Sequence, residues 1–414
     1  MEPFHYVNGV LFCEKLSLKQ LAKEAGTPLY VYCRRAFEEN YRRFDQAFAE
    51  IPHLICYAVK ANANLGVLRL FREIGAGFDI ASGGELFRTR QVGAEPQKIV
   101  FSGVGKTNSE IDYALNTNLL AFNVESPAEL EAIEARGKFL NRAARISFRV
   151  NPDIDAETHP YVATGLQEHK FGVGIEEALS LYKFAASLPH LEVVGISCHI
   201  GSQITTIHPF LEAAQRIFKL VDELDQAGIR LKFVNLGGGL GIRYHNENPP
   251  GVEDLVKGLA PYFLRKDHTL ILEPGRFLSA SAGVLLTETL YVKKNNRRHF
   301  IIVDAAMTEL IRPSLYQAYH EIWPVEQRPQ ADTFTADIVG PVCETSDFFA
   351  RAREIQVTQR GDLLVILNAG AYGFCMSSNY NSRLKVAEVM VQNSSYQIVR
   401  KRETFEDLVR NEKQ

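Results

Sequence analysis

The feature that most constrains this chain is a strand–helix rhythm repeated eight times. Short apolar runs recur at 55–60, 78–82, 99–103, 120–125, 144–151, 193–200, 233–238 and 270–274. Stretches with helical periodicity separate most of them. In 127–140, Leu130 and Ile133 fall on one face and Glu129, Glu131 and Glu134 on the other. In 210–227, Leu211, Ala214, Ile217, Phe218, Val221 and Leu224 make one apolar stripe. Strands that alternate with helices pair in parallel, because the return helix brings the next strand back in the same direction. Eight such units in roughly 220 residues is the length of a closed (β/α)8, TIM-like barrel. The predicted fold class is therefore α/β.

The flanks read differently. Asn8-Gly9 supplies a type I′ hairpin turn. Ser17 caps a helix over 18–25 that Gly26 ends. A short strand over 29–32 and a helix over 34–50 lead into the barrel. After Glu273-Pro274-Gly275-Arg276 the rhythm stops, and strand-like runs follow at 284–293, 299–305, 333–339, 354–357, 362–368, 385–391 and 396–402. Basic residues flank the first turn (Lys293-Lys294 and Arg297-Arg298), as at a solvated hairpin tip. The expectation is a barrel domain over 27–276 and an antiparallel β domain made of 1–26 and 277–414.

Charged residues are 23% and hydrophobic residues 46% of the chain, the profile of a folded globular protein. A net charge of -3 gives no electrostatic case for nucleic acid or an anionic membrane. No apolar run approaches a membrane span. The first residues carry no secretory leader pattern. Cysteines at 13, 33, 56, 198, 343 and 375 form no C-x-x-C pair, which argues against a zinc site or a disulfide framework. Cytoplasmic localisation and no metal are the expectations.

Barrel enzymes carry their chemistry at the C-terminal ends of the strands. Here those ends offer Lys60, Asp79 with Ser82, Ser102-Gly103, Glu125, Asn151, His199 to Ser202, Gly237 to Gly239, and Glu273 to Arg276. Lys60 closes an apolar run. Desolvation there would favour its neutral amine, as suits a Schiff-base lysine; the alternative is a side chain that snorkels to solvent. Gly237-Gly238-Gly239-Leu240-Gly241 could form a nest of N–H groups for a phosphate, or a tight turn. Glu273 could hold a proton on a heterocyclic nitrogen or pair with Arg276. His199 could stack on a flat ring or be a hydrogen-bonded core histidine. Cys198, adjacent on the strand, faces the other side and cannot share a metal with it. A nucleophilic lysine, a phosphate nest, an acid for a ring nitrogen and a flat stacking group are the parts needed to hold pyridoxal phosphate. Further along, Gly340-Pro341-Val342-Cys343-Glu344-Thr345-Ser346-Asp347 puts a thiol and two acids on a turn after a strand. Arg312, Tyr316 and Tyr372 add a cation and two phenols.

At this point the chain resembles a known family, the fold-type III pyridoxal-phosphate-dependent decarboxylases, whose fold is alanine-racemase-like. The residues that carry the resemblance are Tyr57 to Asn62, His199 to Gln203, Gly237 to Gly241, Glu273 to Arg276, Ile311 to Tyr316, Gly340 to Glu344 and Ala369 to Tyr372, in the family's order. One departure is Thr345-Ser346, where the family often has glycine before the aspartate. The resemblance implies that Lys60 anchors the cofactor and His199 stacks on it. Ser202, Gly238, Gly239, Glu273, Gly275, Arg276 and Tyr372 would contact its phosphate and ring nitrogen. Arg276, Arg312, Tyr316, Glu344 and Tyr372 would bind substrate, and Cys343 would donate the proton. It further implies a head-to-tail homodimer in which the Cys343–Glu344 loop completes the partner's site. The activity implied is decarboxylation of meso-2,6-diaminopimelate to L-lysine, the last step of lysine biosynthesis. A decarboxylase of ornithine, arginine or lysine, and a non-catalytic homologue, are the alternatives.

Overall fold

The computed structural model describes residues 2–155, 170–264, 267–295, 298–328 and 330–412. The chain forms two compact units, one of Asn40–Arg243 with Glu247–Phe277, the other of Met1–Glu39, Tyr244–Asn246 and Leu278–Gln414.

The first of these is a closed barrel. Its strands are β1 (His53–Ala58), β2 (Gly77–Ile80), β3 (Ile99–Phe101), β4 (Ala121–Val124), β5 (Ala144–Asn151), β6 (Leu191–Ser197), β7 (Phe233–Asn235) and β8 (Thr269–Leu272). Each pairs in parallel with the next, and β8 pairs with β1 through Leu270–His53, Ile271–Leu54 and Leu272–Ile55. The predicted (β/α)8 barrel is thus present. Helices return the chain between strands, and polar caps start several of them. Ser82, expected among the strand-end site residues, accepts the Glu85 N–H at 3.2 Å as a helix N-cap. Helix Pro127–Leu140 begins on Ser126 and buries Leu130 and Ile133.

Alternation along the strands divides the barrel interior into levels. Side chains two residues apart on a strand share a face. Val100, Ala121, Phe233 and Ile271 belong to an apolar cluster that also holds Cys56. Two residues on from four of these lie Ser102, Asn123, Asn235 and Glu273, all buried. The barrel is therefore oily at one level and polar at the next, toward the C-terminal ends. Bulk at the lower level is balanced by absence: a Cβ on Gly195 would stand 2.2 Å from the Phe233 ring.

The second unit is a β structure. Its large sheet runs Phe348–Gln356, Thr333–Val339, Arg298–Val303, Gly283–Asn295, Leu29–Cys33, Ala387–Gln392, Ser395–Arg400, with Leu363–Ile366 and Ile322–Pro324 branching from it. Most pairs are antiparallel, as expected. Two are parallel: Arg298–Val303 with Thr333–Val339, and Leu29–Cys33 with Ala387–Gln392. Neither pair is joined by a short turn, so nothing forces the strands to reverse. The N-terminal hairpin forms as read, Phe4–Val7 with Val10–Cys13, with Asn8 at φ 48° and Gly9 at φ 80°. Asn296 and Arg297 of the basic hairpin tip lie outside the described residues. Among the described residues no helix is long and apolar enough to cross a membrane.

Filling the space that Gly195 leaves tests the layered core. Gly195→Ala is expected to destabilise the protein by about 1–3 kcal/mol, read as a lower urea midpoint at unchanged slope.

Candidate active site

Lys60 does not end a strand. β1 stops at Ala58, and Lys60 sits in a single 3-10 turn, Val59–Ala61, that turns its side chain over the barrel mouth. That side chain is 43% exposed, so the desolvation expected from the sequence is not found. A carboxylate holds it instead: Nζ lies 3.2 Å from Asp79 Oδ2, and Asp79 is 1% exposed.

From Asp79 a hydrogen-bond chain crosses the polar level of the barrel. Ser102 Oγ donates to Asp79 Oδ1 at 2.7 Å, and Asn123 Nδ2 donates to Ser102 Oγ at 3.0 Å. Asn123 Nδ2 also lies 3.5 Å from Glu273 Oε1, and Asn235 Nδ2 donates to the same oxygen at 2.6 Å. Ser147 Oγ fixes Asn123 by donating to its Oδ1 at 2.5 Å. Burial and the negative charge of Asp79 push the Glu273 carboxyl up to about 8, so it keeps a proton at neutral pH. Burial also pushes Glu85 up to about 7; its carboxylate accepts the Ala81 N–H at 2.6 Å.

His199 follows β6, and Gly238 N–H donates to its Nδ1 at 3.2 Å. That nitrogen must be unprotonated, which places the ring proton on Nε2. Burial, with the positive charges of Lys60 and Arg149, holds the imidazole well below its ordinary value, so the ring stays neutral. Arg149 was not foreseen. Its Nη1 pairs with Glu125 Oε1 at 3.2 Å, and its Nη2 reaches the His199 carbonyl at 3.4 Å. Glu125 also accepts the N–H groups of Gly103 and Gly172, at 3.1 and 2.9 Å. Asn151 accepts the Asp153 N–H at 2.9 Å. Both strand-end residues brace loops.

The glycine run has a steric cause. A Cβ on Gly237 would lie 2.5 Å from the Cys198 carbonyl oxygen, on Gly238 2.2 Å from that of Glu273, and on Gly239 2.5 Å from that of Gly201. A Cβ on Gly275 would press on Ala61 and Ala58 at 3.0 and 3.1 Å. These contacts bring the ends of β6, β7 and β8 within backbone distance. Gly237 and Gly238 spend their N–H groups on Asn235 and His199, while that of Gly239 has no partner among the described residues. Nearby, Arg276 Nη2 donates to Ser202 Oγ at 2.9 Å. This end of the barrel thus offers one N–H, one hydroxyl and one guanidinium as donors.

The β unit holds the remaining predicted residues. Arg312 opens a short helix, Arg312–Tyr316, and is 6% exposed. Its Nη1 donates to His320 Nε2 at 2.8 Å, and the guanidinium lies 4.6 Å from the Tyr244 ring centre. Since arginine only donates, His320 carries its proton on Nδ1, which donates to the Leu367 carbonyl at 2.7 Å. Ser314 on the same helix donates to the Ser346 carbonyl at 2.5 Å and so ties the helix to the thiol loop. Cys343 and Glu344 are exposed on that loop. Asp347 is buried and braces it, accepting the N–H groups of Met307 and Val342 at 2.6 and 2.7 Å. Tyr372 is half-buried with φ 54°, a left-handed conformation uncommon for an aromatic residue and concentrated at functional sites.

Glu273 gives the site a pH signature. An unfolded glutamate ionises near 4.5, whereas the folded one does so near 8. Between these values the folded state holds the extra proton, so this group's contribution to stability is present at low pH and is lost as pH rises. Cofactor-free protein should show a urea midpoint that falls from pH 5 to pH 8, and Glu273→Gln should flatten that fall.

Residues 34–280 match the family model described as pyridoxal-dependent decarboxylase, pyridoxal binding domain. The diaminopimelate decarboxylase of Pseudomonas aeruginosa is 49% identical over 412 residues, covering 100% of this chain and 99% of its own length. That of Vibrio cholerae is 48% identical over 410 residues, covering 99% and 98%. The crystal structure of diaminopimelate decarboxylase from Helicobacter pylori complexed with L-lysine superposes with a TM-score of 0.92 at 43% identity, over 95% of this chain and 98% of that one. The chain belongs to the diaminopimelate decarboxylase family of pyridoxal-dependent decarboxylases.

Proposed function

We propose that this protein decarboxylates meso-2,6-diaminopimelate to L-lysine and CO2. The observation that carries the substrate assignment is Arg312, a buried guanidinium held by a neutral imidazole and an aromatic face. A fixed cation of this kind suits a carboxylate by bidentate hydrogen bonds. Diaminopimelate has a distal carboxylate, which ornithine, lysine and arginine lack. Relatives of nearly half-identical sequence bear the corresponding name, and one was solved with L-lysine.

The residues present fit pyridoxal phosphate. The free Gly239 N–H, Ser202 and Arg276 would take its phosphate, helped by Gly238, Gly275 and Tyr372. Lys60 would anchor it through the amine, with Asp79 holding that amine. Bound, the cofactor supplies an electron sink for the carbanion that loss of CO2 leaves. Glu273, already protonated in its buried network, keeps a proton at the ring nitrogen's position. His199 stays neutral and presents a flat face. Arg276, Arg312, Tyr316 and Tyr372 orient the substrate, Glu344 takes its distal ammonium, and Cys343 delivers a proton to the carbon that lost CO2. We assign the cofactor to the barrel unit of Asn40–Arg243 with Glu247–Phe277, and the thiol loop to the β unit, which takes in Leu29–Cys33. In the assembly we propose, a homodimer, each Cys343–Glu344 loop serves the partner's barrel. The absence of a disulfide among the described residues suits a cytoplasmic protein.

With pyridoxal phosphate present, CO2 release is expected from meso-diaminopimelate and not from ornithine, lysine or arginine. Arg312→Met should lower kcat/KM on the order of 100-fold. Release from ornithine alone would overturn the assignment. The shared site is tested by mixing an inactive chain, Lys60→Ala, with a slow one, Cys343→Ala. Random exchange leaves one intact site in half the dimers, so activity should recover to about a quarter of the wild type. No recovery despite exchange would place both groups in one protomer's site.

A further inference from the structure

We propose that Asn381 is a positioning residue for the Cys343 thiol. The inference rests on the reading of Cys343 as proton donor. The loop that bears Cys343 is pinned near both ends: the buried Asp347 carboxylate holds the N–H groups of Val342 and Met307, and Ser314 holds the Ser346 carbonyl. Gly340 fits against Asp347, where a Cβ would lie 2.4 Å from Oδ2. Cys343 itself is exposed, and among the described residues it has a single hydrogen bond. Its own backbone N–H donates to Asn381 Oδ1 at 2.9 Å. Beside it, the Tyr380 hydroxyl donates to Glu344 Oε2 at 3.3 Å.

The turn that supplies this acceptor has an uncommon backbone. Asn381 has φ 55° and ψ 26°, and Ser382 has φ 54°. Asparagine is among the few side chains that adopt this left-handed conformation readily. The conformation aims the Asn381 amide oxygen at one of the two peptide groups that set the Cα–Cβ direction of Cys343; the other is held by Glu344 N–H on the Val342 carbonyl at 2.8 Å. A thiol so fixed meets a planar carbon from one side only. Released, it would swing, and water would deliver the proton from either face. Asn381 touches neither substrate nor cofactor in this scheme; it acts through the Cys343 peptide.

The test is turnover of meso-diaminopimelate by holoenzyme in D2O, with the configuration of deuterium at the decarboxylated carbon of the lysine read by NMR. Asn381→Gly removes the acceptor and keeps the left-handed backbone free of strain. It should lower kcat about tenfold, leave KM within about threefold, and place deuterium in both configurations. Asn381→Asp restores an acceptor oxygen and should return a single configuration with kcat within about threefold of wild type. Cys343→Ala is the control. Single-configuration product at full kcat from Asn381→Gly, with scrambled product from Cys343→Ala, would overturn the inference alone. A folded Asn381→Asp that scrambles would also overturn it. Unchanged rate and configuration in Cys343→Ala would remove the proton-donor reading and this inference with it.

Discussion

Two carboxylates buried in one barrel interior set the terms for the rest of the site. Asp79 and Glu273 are 1% and 8% exposed, and the hydrogen-bond chain through Ser102 and Asn123 joins them. Two ionised carboxylates in such a space would repel and be poorly solvated. The structure resolves this by asymmetry. Asp79 has the Lys60 ammonium and the Ser102 hydroxyl. Glu273 has amide donors, Asn235 foremost, and retains its proton. Burial keeps His199 neutral, helped by the positive charges of Lys60 and Arg149. One acid paired with a lysine, one acid protonated and one imidazole uncharged is the electrostatic state that a ring with a basic nitrogen would meet.

The β unit solves a different problem, that of holding an exposed thiol still. An exposed loop has little packing to define it, so its order must come from hydrogen bonds. Here they come from a buried carboxylate beneath the loop, a helix hydroxyl at one end and a left-handed turn beside the thiol. The same helix starts on the buried Arg312, so the cation and the thiol loop share one support.

Much of this was legible in the sequence. The short apolar runs located all eight barrel strands, because a parallel sheet covered on both faces demands them. Asp79 and Asn151 lie at the ends of their strands, and Glu273 follows Leu272 directly. The error at Lys60 was local: the run 55–60 stays apolar up to Val59, but the backbone leaves the ladder at Ala58 and turns. Asn123, Ser147, Arg149 and Asn235 were passed over, although each sits on a barrel strand. Asn123 and Asn235 stand two places beyond an apolar inward residue, a same-face signal that could have flagged them. Leu29–Cys33 carried no comparable signal of its partners. They are Gly283–Leu286 and Ala387–Val391, hundreds of residues away. The parallel pairing in the β unit escaped notice for the same reason.

The sequence by itself determined the strand–helix alternation, hence the closed barrel, and which residue types lie at its strand ends. These follow from local periodicity, and periodicity is written along the chain. Tertiary structure alone decided which groups meet and in what charge state. Glu273 is an acid because burial and the charge of Asp79 make it one. His199 is neutral because it is buried, with Lys60 and Arg149 adding positive charge beside it. Cys343 is held because a turn at Asn381 faces its N–H. Each is a through-space effect between residues distant in sequence, set by distance and burial, and no pattern along the chain encodes either.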